Sequence, residues 1–329
     1  MPNLRVGVIG VGTMGERHCR VYSGLRHVEL VGVADRDAQR GQTVASQYET
    51  DYFADHRQLL REIDAVSIAT TTPAHFDLAM QALAQGVHVL VEKPLAETLE
   101  QGDQMVVEAG RRNLVLQVGH IERFNPAYLE LKNVAEGMRM VAINVRRLSP
   151  FDLSNTDVDV VRDLMVHDLD LVVNLVGIRP EAITAWGRSI STGAIDHAIA
   201  TLSFQDGPIA TLFASRVTEQ KVRMIEVIAE GAYVEADLLT KSLLVHRRTF
   251  DQYLDNHQVT KYRQESIIER IYVPSAEPLV LELRHFVECV VEGKPSQVPG
   301  EDGLFALQLA QVVADQASQL ADCYKLPAR

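Results

Sequence analysis

Three groups of residues in this 329-residue chain have the types and spacing for chemistry. Lys93 stands in the tripeptide Glu92-Lys93-Pro94, and Asp163 and His167 lie four apart in a run that is apolar nearly all round. A carboxylate one helical turn from an imidazole can fix its orientation and tune it for acid and base work. A satisfied structural pair inside a buried helix is the other reading of that spacing. No second histidine or cysteine stands at a ligand spacing from His167, so a metal site is not expected. The third group is the turn Gly10-Val11-Gly12-Thr13-Met14-Gly15, whose glycines suit a phosphate-bearing ligand.

The context of that turn gives it meaning. An apolar run, Leu4 to Ile9, reads as a buried parallel strand before it, and Met14 to Gly24 reads as a helix after it. Gly10 permits the tight turn, Gly12 lets a pyrophosphate approach the backbone, and Gly15 allows close packing of helix on strand. With Thr13 and Met14 these residues form the expected cofactor cradle. A second strand, Glu29 to Ala34, ends in Asp35, 20 residues beyond Gly15, where an acid can bond the adenosine ribose. That favours NAD. Arg36 follows at once and suits a 2′-phosphate, so NADP stays open. Thr70, Thr71 and Thr72 end the fourth predicted strand, placed either to line the nicotinamide ribose or to cap the next helix. Lys93 lies just past the fifth, on the edge where doubly wound sheets bind ligands, and a cis bond at Pro94 would aim it inward.

The elements that must position these residues fall into two sets. From Leu4 to Gly119, strands at Leu4–Ile9, Glu29–Ala34, Ala65–Ala69, His88–Val91 and Leu114–Val118 alternate with helices at Ala38–Tyr48, Pro73–Gln85 and Leu99–Arg112. This is the rhythm of a doubly wound parallel sheet. After Arg123 one strong helix, Val161 to Val176, is followed by consecutive β-rich runs between Ile183 and Leu238, with a further run at Met140 to Leu148. They favour a largely antiparallel, open-faced sheet. The division expected is residues 1–122 for the dinucleotide and 123–329 for substrate and oligomerisation, with Leu279–Glu292 and Leu304–Asp322 packing on the flank of the second sheet. The stretch from Asp251 to Glu269 is polar and resists assignment.

Composition narrows the partners. A formal charge of −12, from 32 basic and 44 acidic side chains, argues against sequence-independent binding of nucleic acid. The cysteines Cys19, Cys289 and Cys323 are odd in number and widely spaced, which suits a reducing compartment. No charged leader and apolar run precede the first strand, and no apolar stretch is long enough to span a bilayer, so a cytoplasmic protein is expected.

Gly10 to Gly15, Glu92-Lys93-Pro94 and Asp163-Leu-Met-Val-His167, in this order, resemble the glucose-fructose oxidoreductase, inositol dehydrogenase and rhizopine catabolism superfamily over the whole chain. The resemblance implies that Lys93, Asp163 and His167 form the catalytic group, that His75 reaches a cofactor ribose, and that Glu92 sits on the nicotinamide side. It also implies dimers or tetramers built through the open sheet. A narrower likeness rests on Val118 to Pro126, Arg147 to Phe151 and Arg162 to Asp170, which are similar to members that oxidise the 3-hydroxyl of UDP-N-acetylglucosamine or its uronic acid. The keto product of such members feeds an aminotransferase, on a route to the 2,3-diamino sugar of some lipid A. Arg123, Arg147 and Arg162 then become candidates for the diphosphate, because guanidinium groups match phosphate oxygens in pairs. Asn125 is grouped with them as a substrate contact, and salt-bridge roles remain the alternative for each arginine. His167 is assigned the base and Lys93 the oxyanion, roles the sequence allows to be exchanged. A dehydrogenase of a free polyol needs no diphosphate site, and a non-catalytic NAD- or sugar-binding regulator is the remaining alternative.

Overall fold

The computed structural model describes residues 3–151, 158–190, 193–254 and 260–323. They divide into two compact units, residues 1–124 with 276–308 and residues 125–275 with 309–329.

In the first unit, β1 (Leu4–Ile9), β2 (Val28–Ala34), β3 (Asp51–Phe53), β4 (Ala65–Ile68), β5 (His88–Glu92) and β6 (Leu116–Gly119) form a sheet in the order β3-β2-β1-β4-β5-β6. Every pairing is parallel. Strands buried on both faces need apolar side chains on both, and Val6, Val8, Val66, Ile68, Val89, Leu90 and Val91 are all fully buried. The order reverses between β1 and β4, the kind of crevice where open α/β sheets take their ligands.

Two hydrophobic layers cover this sheet. One includes residues of α3 (His56–Leu59), α4 (His75–Ala84) and α5 (Leu99–Arg112), and α5 opens with a capping box between Thr98 and Gln101 and closes on Asn113 in the left-handed region. The other is built on α1 (Thr13–Gly24) and α2 (Ala38–Gln47), and α8 (Pro278–Glu292) completes it with Leu279, Leu283 and Phe286. Thus the chain returns to the first unit after residue 275, where the expected division assigned residues 123–329 to the second. The apolar face of α8 matches the α1 layer, and helical periodicity cannot name which layer a helix will cover.

The second unit holds eight strands in the order β14-β13-β12-β11-β7-β10-β9-β8. They are β7 (Met140–Leu148), β8 (Ala182–Arg188), β9 (His197–Ser203), β10 (Ile209–Ser215), β11 (Val222–Ala229), β12 (Ala232–Asp237), β13 (Ser242–Leu254) and β14 (Thr260–Ile271). All pairings are antiparallel except that of β7 with β10. Strand residues alternate in burial, so Ala185, Ala200, Leu212, Val145, Val227 and Val234 are buried on one face. The other face leaves Trp186 at 44% exposure and Ile209 at 55%. The polar stretch that resisted assignment lies largely in the β13–β14 hairpin, which alternation alone did not reveal because its apolar residues are few; residues 255–259 lie outside the described residues.

Helices of this unit include α6 (Pro126–Ala135) and α7 (Val166–Val176), and α9 (Gly300–Cys323) crosses from the first unit into the second. The predicted helix from Val161 to Val176 is two pieces: Val161–Met165 winds as a π-helix and α7 follows. Asp163 therefore stands in the wide turn and His167 in the α-helical one. Such π segments recur at functional sites because they re-aim side chains within a helix.

Candidate functional site: a dinucleotide cleft and a polar helix

A cleft of about 760 Å³ opens at the C-terminal edge of the six-stranded sheet, with Gly10, Gly12, Met14, Asp35, Thr70 and Lys93 among its walls. Its floor is the glycine turn. Gly10 has φ +85°, and a Cβ there would lie 2.6 Å from the Thr70 Cγ2. A Cβ on Gly15 would lie 1.8 Å from the Gly10 carbonyl oxygen, so helix and strand meet only through glycine. Gly12 is different: a Cβ there would meet nothing within 4 Å. No protein neighbour demands glycine at that position, which fits a backbone kept bare for a ligand. Gly12 is also the N-cap of α1, without a side-chain cap, so the first-turn amides near Thr13 and Met14 are free of side-chain competition for an anion.

Asp35 closes the far end of the cleft at the tip of β2. Its carboxylate accepts the Val11 and Asp37 amides, each at 2.8 Å, and the Arg40 Nη2 at 2.8 Å. Burial pushes this carboxyl up, but the Arg40 guanidinium and the two amides together outweigh it and hold it below the usual carboxylate range. A fixed anion here suits a ribose diol and repels a 2′-phosphate, as NAD requires. Arg36 lines the cleft, yet the basic residue bound to Asp35 is Arg40, which the sequence reading missed. Its place three residues into α2, one turn from the strand tip, was the available signal.

At the other end, the Lys93–Pro94 peptide bond is cis, and Glu92 and Lys93 both line the cleft. Thr70 and Thr71 line it too. Thr71 precedes the 3₁₀ turn Thr72–Ala74 without a side-chain cap, and Thr72 opens that turn. His75 is buried, with Nδ1 2.9 Å from the Pro94 carbonyl and Nε2 3.1 Å from the Thr70 carbonyl. Burial lowers its pKa despite those carbonyls, so the ring is neutral and donates one proton, to one of two acceptors. Its geometry ties the loop after β4 to the loop bearing Lys93, with both nitrogens facing protein oxygens.

In the second unit, His167 is half-buried and is the second residue of α7, one turn beyond Asp163. The helix is pinned to the sheet by Asp168, whose carboxylate meets the Arg147 Nε at 2.8 and 3.0 Å and Nη2 at 2.8 Å. Both side chains are 2% exposed. Asn174, which shares the polar stripe, accepts the Tyr128 hydroxyl at 2.7 Å.

Each residue expected as a substrate contact has protein partners. Arg147 is committed to Asp168 within the core. Arg123 is 5% exposed and donates to Asp302 at 2.8 Å and to the Gln297 carbonyl at 3.0 Å. Arg162 pairs with Asp159 and donates to the Gln311 side chain at 2.8 Å. Asn125 is the N-cap of α6, accepting the Ala127 amide at 3.1 Å and donating to the Leu238 carbonyl at 3.0 Å. Residue type favoured phosphate; the structure gives these donors carboxylate and carbonyl partners, of which only Asp159 is close in sequence to its arginine. Among the described residues no group of three or more His, Cys, Asp or Glu is arranged to hold a metal ion.

A doubly wound sheet with a glycine turn, an acid at the tip of β2 and a lysine past β5 defines an NAD-binding dehydrogenase-like fold. Residues 4–120 match the model of the oxidoreductase family with an NAD-binding Rossmann fold, and residues 146–235 match the GFO/IDH/MocA C-terminal domain. The UDP-N-acetylglucosamine 3-dehydrogenase of Acidithiobacillus ferrooxidans is 38% identical over 248 residues, which cover 75% of this chain and 78% of that one. A solved structure of that enzyme superposes with a TM-score of 0.89 at 32% identity, covering 98% of this chain and all of the other. The myo-inositol 2-dehydrogenase of Thermotoga maritima is 25% identical over 323 residues, covering 93% of this chain and 94% of its own. The chain belongs to the GFO/IDH/MocA oxidoreductase family, and its cofactor is NAD.

Proposed function

We propose that this protein oxidises the 3-hydroxyl of UDP-N-acetylglucosamine to the 3-keto sugar with NAD. The observation that carries the reading is the likeness to the Acidithiobacillus enzyme over almost the whole chain, against 25% identity to the inositol enzyme. Gly10, Gly12 and the first-turn amides at Thr13 and Met14 would hold the pyrophosphate, Asp35 the adenosine ribose, and Thr70 and Thr71 the nicotinamide half. Bound NAD would supply the acceptor for the carbinol hydrogen and both electrons of its bond. The remaining work belongs to side chains: His167 removes the hydroxyl proton, the Lys93 ammonium stabilises the developing oxyanion, and Asp163 sets the imidazole for that task.

The keto product is a substrate for an aminotransferase, which places the reaction on a route to a 2,3-diamino sugar such as that of lipid A, in the cytoplasm. The open face of the eight-stranded sheet, with Trp186, Ile209 and Ile228 exposed, is taken by a second copy of the chain, giving a dimer or a tetramer. One observation favours a different substrate: Arg123, Arg147 and Arg162 are all engaged by protein acceptors, as a dehydrogenase of a free polyol would tolerate.

The test is incubation of the purified protein with NAD and UDP-N-acetylglucosamine, with the uronic-acid analogue and inositol alongside, following NADH absorbance and product mass. Loss of two hydrogens from the UDP-sugar supports the proposal. Turnover of inositol alone would replace it with the polyol reading.

A further inference from the structure

Beside the cleft, within the first unit, lies a buried cluster that no step above uses. Glu92, the last residue of β5, is 9% exposed, lines the cleft and precedes Lys93. Its Oε1 is 3.1 Å from Nε2 of His18, an α1 residue with no exposed surface. Its carboxyl group rests against Gly119, where a Cβ would lie 2.9 to 3.0 Å from it, so β6 leaves the space that seats it. On α8, Glu282 is wholly buried and neither carboxyl oxygen has a hydrogen-bond partner among the described residues.

The protons of this cluster can be placed. Burial, and then the charge of Glu92, push Glu282 well above the usual carboxylate range, so Glu282 keeps its proton and the negative charge rests on Glu92. The Nδ1 of His18 also meets no hydrogen-bond partner among the described residues. A buried lone pair without a donor costs less than a buried N–H without an acceptor. The ring proton therefore sits on Nε2 and is donated to Glu92.

The topology says what this charge faces. A dinucleotide held at Asp35 beyond β2 and at the β1 turn would have its other half directed toward β4 and β5, because the strands lie in the order β2-β1-β4-β5. Its redox ring is cationic when oxidised and neutral when reduced. We propose that His18 and Glu282 are positioning residues that fix a negative charge on Glu92, and that this charge makes the cleft bind the oxidised cofactor in preference to the reduced one. The inference rests on the NAD assignment but on no particular substrate. The groups that face Glu92 are His18 and Tyr22 on α1, His75 on α4, Lys93 beside it and Glu282 on α8. Burial pushes the Tyr22 phenol up, and His75 is neutral, so among them Lys93 alone adds a positive charge.

The experiment is a titration of the whole protein with NAD and with NADH, without sugar, from about pH 6 to 9, for wild type, Glu92→Gln and His18→Leu. In Glu92→Gln the ratio of the NAD dissociation constant to that of NADH should rise by about a hundredfold, the scale of unit charges roughly 6 Å apart near a protein surface. In His18→Leu, which strips the donor from Glu92, the ratio should become pH-dependent and approach the Glu92→Gln value as pH falls. An unmoved ratio in Glu92→Gln, or an equal loss of both affinities, overturns the proposal while leaving the NAD assignment intact. Failure of wild type to bind either form would remove that assignment and the inference with it. If Glu92→Gln does not fold, the pH dependence of His18→Leu decides, and a flat profile refutes the proposal.

Discussion

Replacement of Asp168 by alanine separates a structural arginine from a phosphate-binding one. Arg147 reaches Asp168 through two nitrogens, at 2.8 to 3.0 Å, with both side chains 2% exposed. A buried ion pair broken from one side leaves a charge in a place water cannot reach, at a cost of about 3 to 5 kcal/mol. For a unit of this size each kcal/mol lowers the unfolding midpoint by about 2 to 4 °C, so the transition of the second unit should fall by roughly 6 to 20 °C. Calorimetry of Asp168→Ala measures this directly. The double variant Arg147→Met with Asp168→Leu fills the same space without charges and should recover most of the loss, since apolar replacements of buried pairs are often neutral or better. Its Michaelis constant for the UDP-sugar should stay near the wild-type value. An unchanged midpoint in Asp168→Ala would refute the structural role, and a double variant that melts normally but binds the UDP-sugar about a hundredfold more weakly would return Arg147 to the diphosphate.

Three further outcomes are expected. His167→Ala should lower turnover by about two to four orders of magnitude, the usual range for a general base, while NAD affinity measured by titration stays the same; unaltered turnover removes His167 from the mechanism. Asp35→Ala should weaken NAD binding and relax the preference over NADP, and an unaltered affinity would mean that the ribose is held elsewhere. Glu282 has a proton affinity raised by burial and by Glu92, so its contribution to stability is whole below about pH 4, near the unfolded value, and is lost as pH rises through the folded one. Glu282→Gln has no proton to lose and should therefore gain stability on wild type as pH climbs from 4 toward neutrality in denaturant titrations; a constant difference across that range would mean the carboxyl is not held neutral.

Much of the first unit was legible because its signals are local. The longer parallel strands are mostly apolar runs, α5 is bounded by Thr98 and Asn113, and the three glycines of the turn have distinct reasons for being glycine. Short elements escaped: β3 has three residues and α3 has four, too few to show a period. The return of α8 to the α1 layer also escaped, because a stripe of apolar residues does not name its partner. In the candidate site the same rule held. Asp35 and Lys93 stand at strand tips, which spacing reveals, and both line the cleft. The distant partners of Arg123, Arg147, Arg162 and Asn125, namely Asp302, Asp168, Gln311 and Leu238, are between 21 and 179 residues away in the chain and could not be read from spacing. Burial of Glu282 beside Glu92 is of the same kind, visible only once α8 is placed.

The central claim is that the hydrogen at C3 of the sugar passes to NAD. UDP-N-acetylglucosamine carrying deuterium at C3 tests it most directly, with mass analysis of the recovered cofactor and sugar. The expected result is NADH heavier by one deuterium and a 3-keto sugar that has lost the label. Reduced cofactor without deuterium, or a product that still holds the label at C3, would contradict it.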